Sequence, residues 1–268
     1  MPDELLAGTV AALSARGPRL TWTVGWTMIA RSWRLTVRNV DWFMTSLSLP
    51  VILMLMMVCV FGGAIQPGGH YVDYVAPGVL IVCVGFGAGN TAVSVAQDLT
   101  TGIIDRFRST DVSGEVLING HVVASVARNL VATALVFGVA FALGFRSSAG
   151  PVSWLVAVGV LTLFILALSW LAATVGVMAR SVGAASGMAF FIAFLAYPSS
   201  ALVLPRTMPA WLRGFAQGQP ITPVVDTVRG LLSGGTMGAS AWEAAAWSLG
   251  IIAVSMVAAG AIFRHRTR

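Results

Sequence analysis

The chain is 268 residues long, 57% hydrophobic and only 10% charged, with a formal net charge of +6. A soluble domain carries about 25% charged residues, so this composition excludes an ordinary water-soluble fold. All 16 basic residues are arginine; without lysine there is no G-x-x-x-x-G-K-[ST] phosphate loop and no Schiff-base nucleophile, so any ATP that powers this protein has to be bound by another chain.

No basic n-region followed by an apolar h-region opens the sequence, so no cleaved signal peptide is expected and the first span should act as the insertion signal. Over residues 20–41, Trp22, Trp26, Ile29, Trp33, Val37 and Val40 recur at helical spacing, while Arg31, Arg34 and Arg38 fall on another face. Tryptophan at headgroup depth beside a basic stripe predicts an amphipathic helix lying in the membrane interface. The same pattern also suits a helix packed on a partner's surface.

Six apolar runs follow: Trp42–Gly69, Tyr74–Ala96, Leu130–Phe145, Ser147–Ala179, Ser181–Pro205 and Ala244–Phe263, none with an Asp, Glu, Lys or Arg. A hydrocarbon core about 30 Å thick takes roughly 20 apolar residues in helical form. The third run reaches that length once Val122–Asn129 is added, which puts Arg128 near its inner end. The expected fold is therefore all-α and polytopic, one membrane domain over residues 1–268 with six transmembrane helices at 43–63, 74–97, 122–144, 152–178, 183–204 and 244–263. Cytoplasmic termini place 12 arginines inside and 4 outside, Arg146, Arg206, Arg213 and Arg229, which satisfies the positive-inside rule for a cell-membrane protein. The arginines are spread over loops rather than gathered on one basic face, so no nucleic-acid partner is expected.

Two connections are more than turns. In the inner loop Asp98–His121, Thr101 can cap a short helix containing Ile103, Ile104, Asp105, Arg106, Phe107 and Arg108. Its three apolar side chains need cover, from the protein's own inner surface or from a groove on a cytoplasmic partner. The outer segment Pro205–Glu243 holds two apolar patches, each too short to span. Pro220 and Pro223 bracket a turn, a helix starting at Thr222 would carry Pro223 in its first turn, and Asp226 and Arg229, three apart, can pair. This predicts a re-entrant or interfacial helical hairpin before the last span, with an amphipathic surface loop as the plainer alternative.

Inside the spans, charge is scarce. Asp98, His121 and Arg128 are expected near inner ends, where they can snorkel to water. Asn90, Ser94 and Gln97 suit inter-helix hydrogen bonds or substrate contact. No acid lies near a span centre, which argues against proton coupling. No His, Cys, Asp or Glu cluster has metal-ligand spacing, so neither metal nor cofactor is expected on this chain. Cys59 and Cys83 read as small packed hydrophobes. Gly85 with Gly89 and Gly183 with Gly187 form G-x-x-x-G steps for close helix packing, and Pro198, after Tyr197, should kink the fifth span or end it early.

Three stretches, in order on this six-span frame, carry a resemblance: Ile104-Asp105-Arg106-Phe107-Arg108-Ser109; Val126–Leu130 with Ala127-Arg128-Asn129; and Gln219-Pro220-Ile221-Thr222-Pro223 followed by Asp226, Arg229, Gly230, Leu231 and Leu232. Together they resemble the ABC-2 type transporter permeases, and among them the daunorubicin-resistance type of exporter membrane subunit. The stretch Thr110–Glu115 departs from the pattern by being more polar and acidic. The resemblance implies a transport subunit without catalytic residues, paired with a second permease copy or paralogue in lipid. ATP and Mg would sit on a separate ABC ATPase. Ile103–Arg108 would be the coupling helix, residues 20–41 the interfacial connecting helix, and spans one, two and five the surroundings of the pathway. The cargo would be amphipathic or lipid-like, such as a drug or antibiotic. The competing reading is a gradient-driven six-helix exporter without an ATPase, which requires a titratable group deep in a span.

Overall fold

A computed structural model describes residues 40–65, 71–101 and 114–266. Within them the backbone is helical with turns and contains no strand. Helix α1, Val40–Leu55, runs on through a π-helical stretch, Met56–Phe61, into Gly62–Ile65. It is followed by α2, Tyr71–Thr100; α3, Gly114–Ala142; α4, Pro151–Met178; and α5, Val182–Phe194. The short helices α6, Ala210–Gly218, and α7, Ile221–Leu232, precede α8, Ala239–Arg266. Among the described residues four helices are long and apolar enough to cross a membrane: α2, α3 over Ile118–Ala142, α4, and α8 over Ala239–Ile262. Ser48–Phe61 and Val182–Phe194 are shorter apolar helices. The sequence-predicted interfacial residues Trp22, Trp26, Arg31, Trp33, Arg34 and Arg38, and the loop residues Ile103, Ile104, Asp105, Arg106, Phe107 and Arg108, lie outside the described residues.

The long helices carry apolar residues on every side, as elements do when one face meets protein and the other lipid. Helix α2 is the axis. Helices α1, α3, α4, α5 and α7 all pack on it, and α8 joins at the periphery through α4 and α7. Val75, Val79, Leu80, Ile81, Val82 and Val84 of α2 are buried among Phe164 and Ile165 of α4, Val136 of α3 and Val224 of α7. The opposite face of α8, with Leu249, Val254 and Val257, is exposed, the expected state of a lipid-facing wall.

Two boundaries differ most from the expected spans. The fifth span was expected over 183–204, yet α5 stops at Phe194 and residues 195–204 form turns. Pro198 accounts for this: its ring would collide with the carbonyl four residues back, which is that of Phe194. The third helix begins at Gly114, eight residues before the expected start at 122. Arg128 therefore does not sit near a helix end. It lies two turns beyond His121, well inside α3, because a helix continues past the point where its sequence becomes uninterruptedly apolar.

Candidate functional site

The turns at 195–204 release backbone carbonyls from helical bonding. In a bilayer each unsatisfied carbonyl costs several kcal/mol, and here alternate carbonyls are each met by a side chain. Gln219 Nε2 donates to Pro198 O at 2.6 Å. Tyr74 Oη and Arg229 Nη2 both donate to Ser200 O, at 3.1 and 2.8 Å. Tyr71 Oη donates to Leu202 O at 3.0 Å. The donors come from the first turn of α2 and from the α6–α7 hairpin, so the broken segment is gripped from two sides. Thr222 adds a third hold, accepting from Ser200 N at 3.3 Å and donating to Ala216 O at 2.6 Å.

Arg229 is the centre of this clasp. Its Nε donates to Tyr74 O at 3.1 Å, its Nη1 to Asp226 Oδ1 at 3.0 Å, and its guanidinium lies 3.9 Å from the Tyr74 ring centroid. Asp226 Oδ1 also accepts from Ser200 Oγ at 2.7 Å. Burial pulls the Arg229 guanidinium below its ordinary range, opposed by Tyr74, Asp226 and Tyr71. A planar fork reaches three acceptors on three segments from separate nitrogens in a fixed geometry, whereas a lysine ammonium holds its three donors on one nitrogen. Local sequence places the group: Pro220 stands at the N-cap position of α7 without a capping bond, Pro223 sits in its first turn, and Asp226 and Arg229 fall one turn apart on one face. Glycine permits the close fit, since a Cβ on Gly78 would land on the Ala201 carbonyl oxygen. At the same end, Arg146 N donates to Asp73 Oδ1 at 3.0 Å and Ser147 Oγ to Leu232 O at 2.7 Å, which ties the α3–α4 connection to α2 and α7.

A polar seam runs along the rest of α2 against α3. Thr91 Oγ1 donates to Ser125 Oγ at 2.7 Å, Ser169 Oγ of α4 reaches the same hydroxyl at 2.9 Å, and Asn129 Nδ2 donates to Ser125 O at 3.1 Å. Arg128 Nη2 donates to Thr91 Oγ1 at 3.4 Å. The buried Asn129 Oδ1 and Thr133 Oγ1, one turn apart, have no hydrogen-bond partner among the described residues. A Cβ on Gly87 would fall on Asn129 Oδ1, so that oxygen rests against the Gly87 Cα, a placement that suits a weak C–H···O contact. Farther along, His121 Nε2 meets Asp98 Oδ2 at 2.9 Å.

The other predicted positions divide clearly. Gly85 and Gly89 pack tightly on α5: a Cβ on either would meet Ala193 Cα at 3.1 Å or Ala189 Cβ at 3.3 Å. Gly183 and Gly187 face away from the described chain, with no packing neighbour closer than 4.0 Å, beside the exposed Phe190, Phe191 and Phe194. Asn90 and Ser94 are half-buried and Gln97 is exposed; Ser94 Oγ donates within its own helix, to Asn90 O. Tyr197 stacks on Phe194 at 5.4 Å. Thr101 Oγ1 donates back to Gln97 O at 2.9 Å, closing α2. Tyr71, Tyr74 and Ser200 were absent from the sequence-based site. The signal that could have found the first two is a pair of tyrosines at a span's end, an aromatic-belt feature.

The chain matches the ABC-2 type transporter family over residues 23–232. It is 28% identical over 221 residues to the daunorubicin resistance ABC transporter permease protein DrrB1 of Streptomyces coeruleorubidus, covering 82% of this chain and 75% of that protein. The matched region takes in α1 to α7 and ends on Leu232, the last residue of the helix that carries Arg229. The chain belongs to the ABC-2 type transporter family, membrane permeases that are transport components working with an ABC ATPase rather than enzymes themselves.

Proposed function

We propose that this protein is the membrane subunit of an ATP-driven exporter that moves an amphipathic or lipid-like compound, such as a drug or antibiotic, out of the cytoplasm or inner leaflet. The observation that carries this is the family match across residues 23–232 together with a drug-resistance permease as relative. The absence of lysine agrees with it, because the phosphate loop then has to be on a separate ABC ATPase. Both termini face the cytoplasm, and so does the end of the bundle that carries Asp98 and His121. The clasp around Arg229 faces outward. Ile103–Arg108 forms the coupling helix against the ATPase, and residues 20–41 form the interfacial helix. A second permease copy or paralogue packs against the open faces of α1 and α5, where Gly183 and Gly187 leave room for close approach. The substrate passes beside the half-open polar stripe of α2, Asn90, Ser94 and Gln97.

Purification in mild detergent tests the partnership, with an ABC ATPase expected to co-elute. The double substitution Ile104→Asp with Phe107→Asp is expected to abolish export while leaving membrane insertion intact. Unchanged substrate-stimulated ATP hydrolysis in the assembled complex would refute the assignment of the coupling helix.

A further inference from the structure

We propose that Asp98 and His121 form a clamp that locks the ends of α2 and α3 in register, and so sets the shape of the end of the bundle that meets a cytoplasmic partner. The partner rests on the export reading above; the clamp itself rests on geometry. Three levels of contact join α2 to α3 along one seam. Gly87 meets Asn129, Thr91 meets Ser125 and Arg128, and Asp98 meets His121. From Gly87 through Thr91 to Asp98 the α2 residues advance by one and then two turns, while the α3 partners run in the opposite sense, from Asn129 through Ser125 and Arg128 to His121. An antiparallel pair with a single register gives this pattern.

The Asp98–His121 contact is the last described link between α2 and α3 before residues 102–113. Among the described residues the Arg229–Asp226 ion pair lies within one helix, whereas the His121–Asp98 contact bridges two. Its surroundings favour a fixed geometry. The side chains are 15% and 30% exposed, and an apolar layer of Val95, Leu99, Ile118 and Val122, backed by Ala173 and Val177 of α4, flanks them. Apolar contact alone tolerates sliding of one helix along the other, because such side chains repack. A directional bond between one carboxylate oxygen and one ring nitrogen does not. Asp98 and His121 are thus positioning residues that act by holding the end of α2 against the start of α3.

The test uses the full-length chain with Cys59 and Cys83 replaced by alanine and spin labels at the exposed positions Thr101 and Asn119. Nanodiscs of phosphatidylethanolamine and phosphatidylglycerol, with excess unlabelled chain, isolate the distance within one copy. The unsubstituted pair should give one narrow distance distribution. His121→Ala should widen and shift it, His121→Gln should keep it narrow, and the swap Asp98→His with His121→Asp should restore it. The apparent affinity of the co-purifying ATPase should fall roughly 5-fold in His121→Ala, the scale of a modest coupling free energy, and return in the swap. An unchanged distribution in His121→Ala overturns the clamp. A widened distribution with unchanged ATPase affinity overturns its role in partner binding. If no ATPase co-elutes, the export reading fails, while the distance measurement still decides the clamp.

Discussion

Replacing Arg229 by alanine removes a group that joins three segments distant in sequence, around Tyr74, Ser200 and Asp226. The acceptors are not all orphaned: Ser200 O keeps the Tyr74 hydroxyl and Asp226 keeps the Ser200 hydroxyl. Each lost hydrogen bond is then worth the net value of about 1 kcal/mol rather than the larger orphan penalty, and the stacking on Tyr74 adds about 1 kcal/mol. The expected loss is roughly 3–4 kcal/mol. Arg213 is the internal control. It donates to Pro205 O and Met208 O at 3.1 and 3.2 Å, both on its own stretch of chain, and its loss should cost about 1–2 kcal/mol. At about 2–4 °C per kcal/mol for a chain of this size, melting of the detergent-solubilised protein should fall by about 10 °C for Arg229→Ala and about 4 °C for Arg213→Ala. Arg229→Lys should fall between them, since it keeps the charge and loses the fork. Efflux should rank the three variants in the same order. Equal effects of the two alanine substitutions on melting and export would refute the view that the clasp is held by one guanidinium.

Gly78→Ala places a methyl group on the Ala201 carbonyl, whereas Gly159→Ala meets nothing within 4 Å. The first should destabilise by about 1–3 kcal/mol through overpacking and the second should be neutral or stabilising, as read from the monodisperse fraction after heating. Ser125→Ala removes the hydroxyl shared by Thr91 and Ser169. At about 0.6 kcal/mol for each hydrogen bond inside a membrane bundle, it should cost about 1 kcal/mol, and a double-mutant cycle with Thr91→Ala in thermal melts should recover about half of that as coupling. Tyr71→Phe should lower stability by about 1 kcal/mol without changing expression, because the ring stays packed and only the bond to Leu202 O is lost.

Hydropathy carried the broad architecture. Runs free of charge located the four long apolar helices, because length in the bilayer is set by a physical thickness that sequence cannot evade. What hydropathy could not locate was where helices begin relative to those runs. Gly114–His121 reads as loop by composition, yet it is the first two turns of α3, and so Arg128 was placed too close to an end. Pro198 did announce the break in α5, since its effect is local and steric. The pairing of Asp226 with Arg229 was legible for the same reason, both partners lying on one turn of one helix. The partners of the clasp outside α7 were not. Tyr74 and Ser200 stand 155 and 29 positions from Arg229, and nothing short of the folded path of α2 and α5 brings them together. The seam was hidden differently: Thr91, Ser125 and Ser169 are small hydroxyls that hydropathy scarcely notices in an apolar run.

The shortness of α5 has a consequence for the lipid around it. Thirteen residues rise about 20 Å, a third less than the hydrocarbon thickness of a typical bilayer. The remainder of that flank is irregular chain roofed by α6 and α7, whose polar backbone cannot face acyl tails. The apolar girdle of the protein is therefore stepped, low beside α5 and full height beside α4 and α8. Lipids next to the step have to thin or tilt to follow it, which makes this flank the place where a molecule dissolved in one leaflet has the least hydrocarbon left to cross.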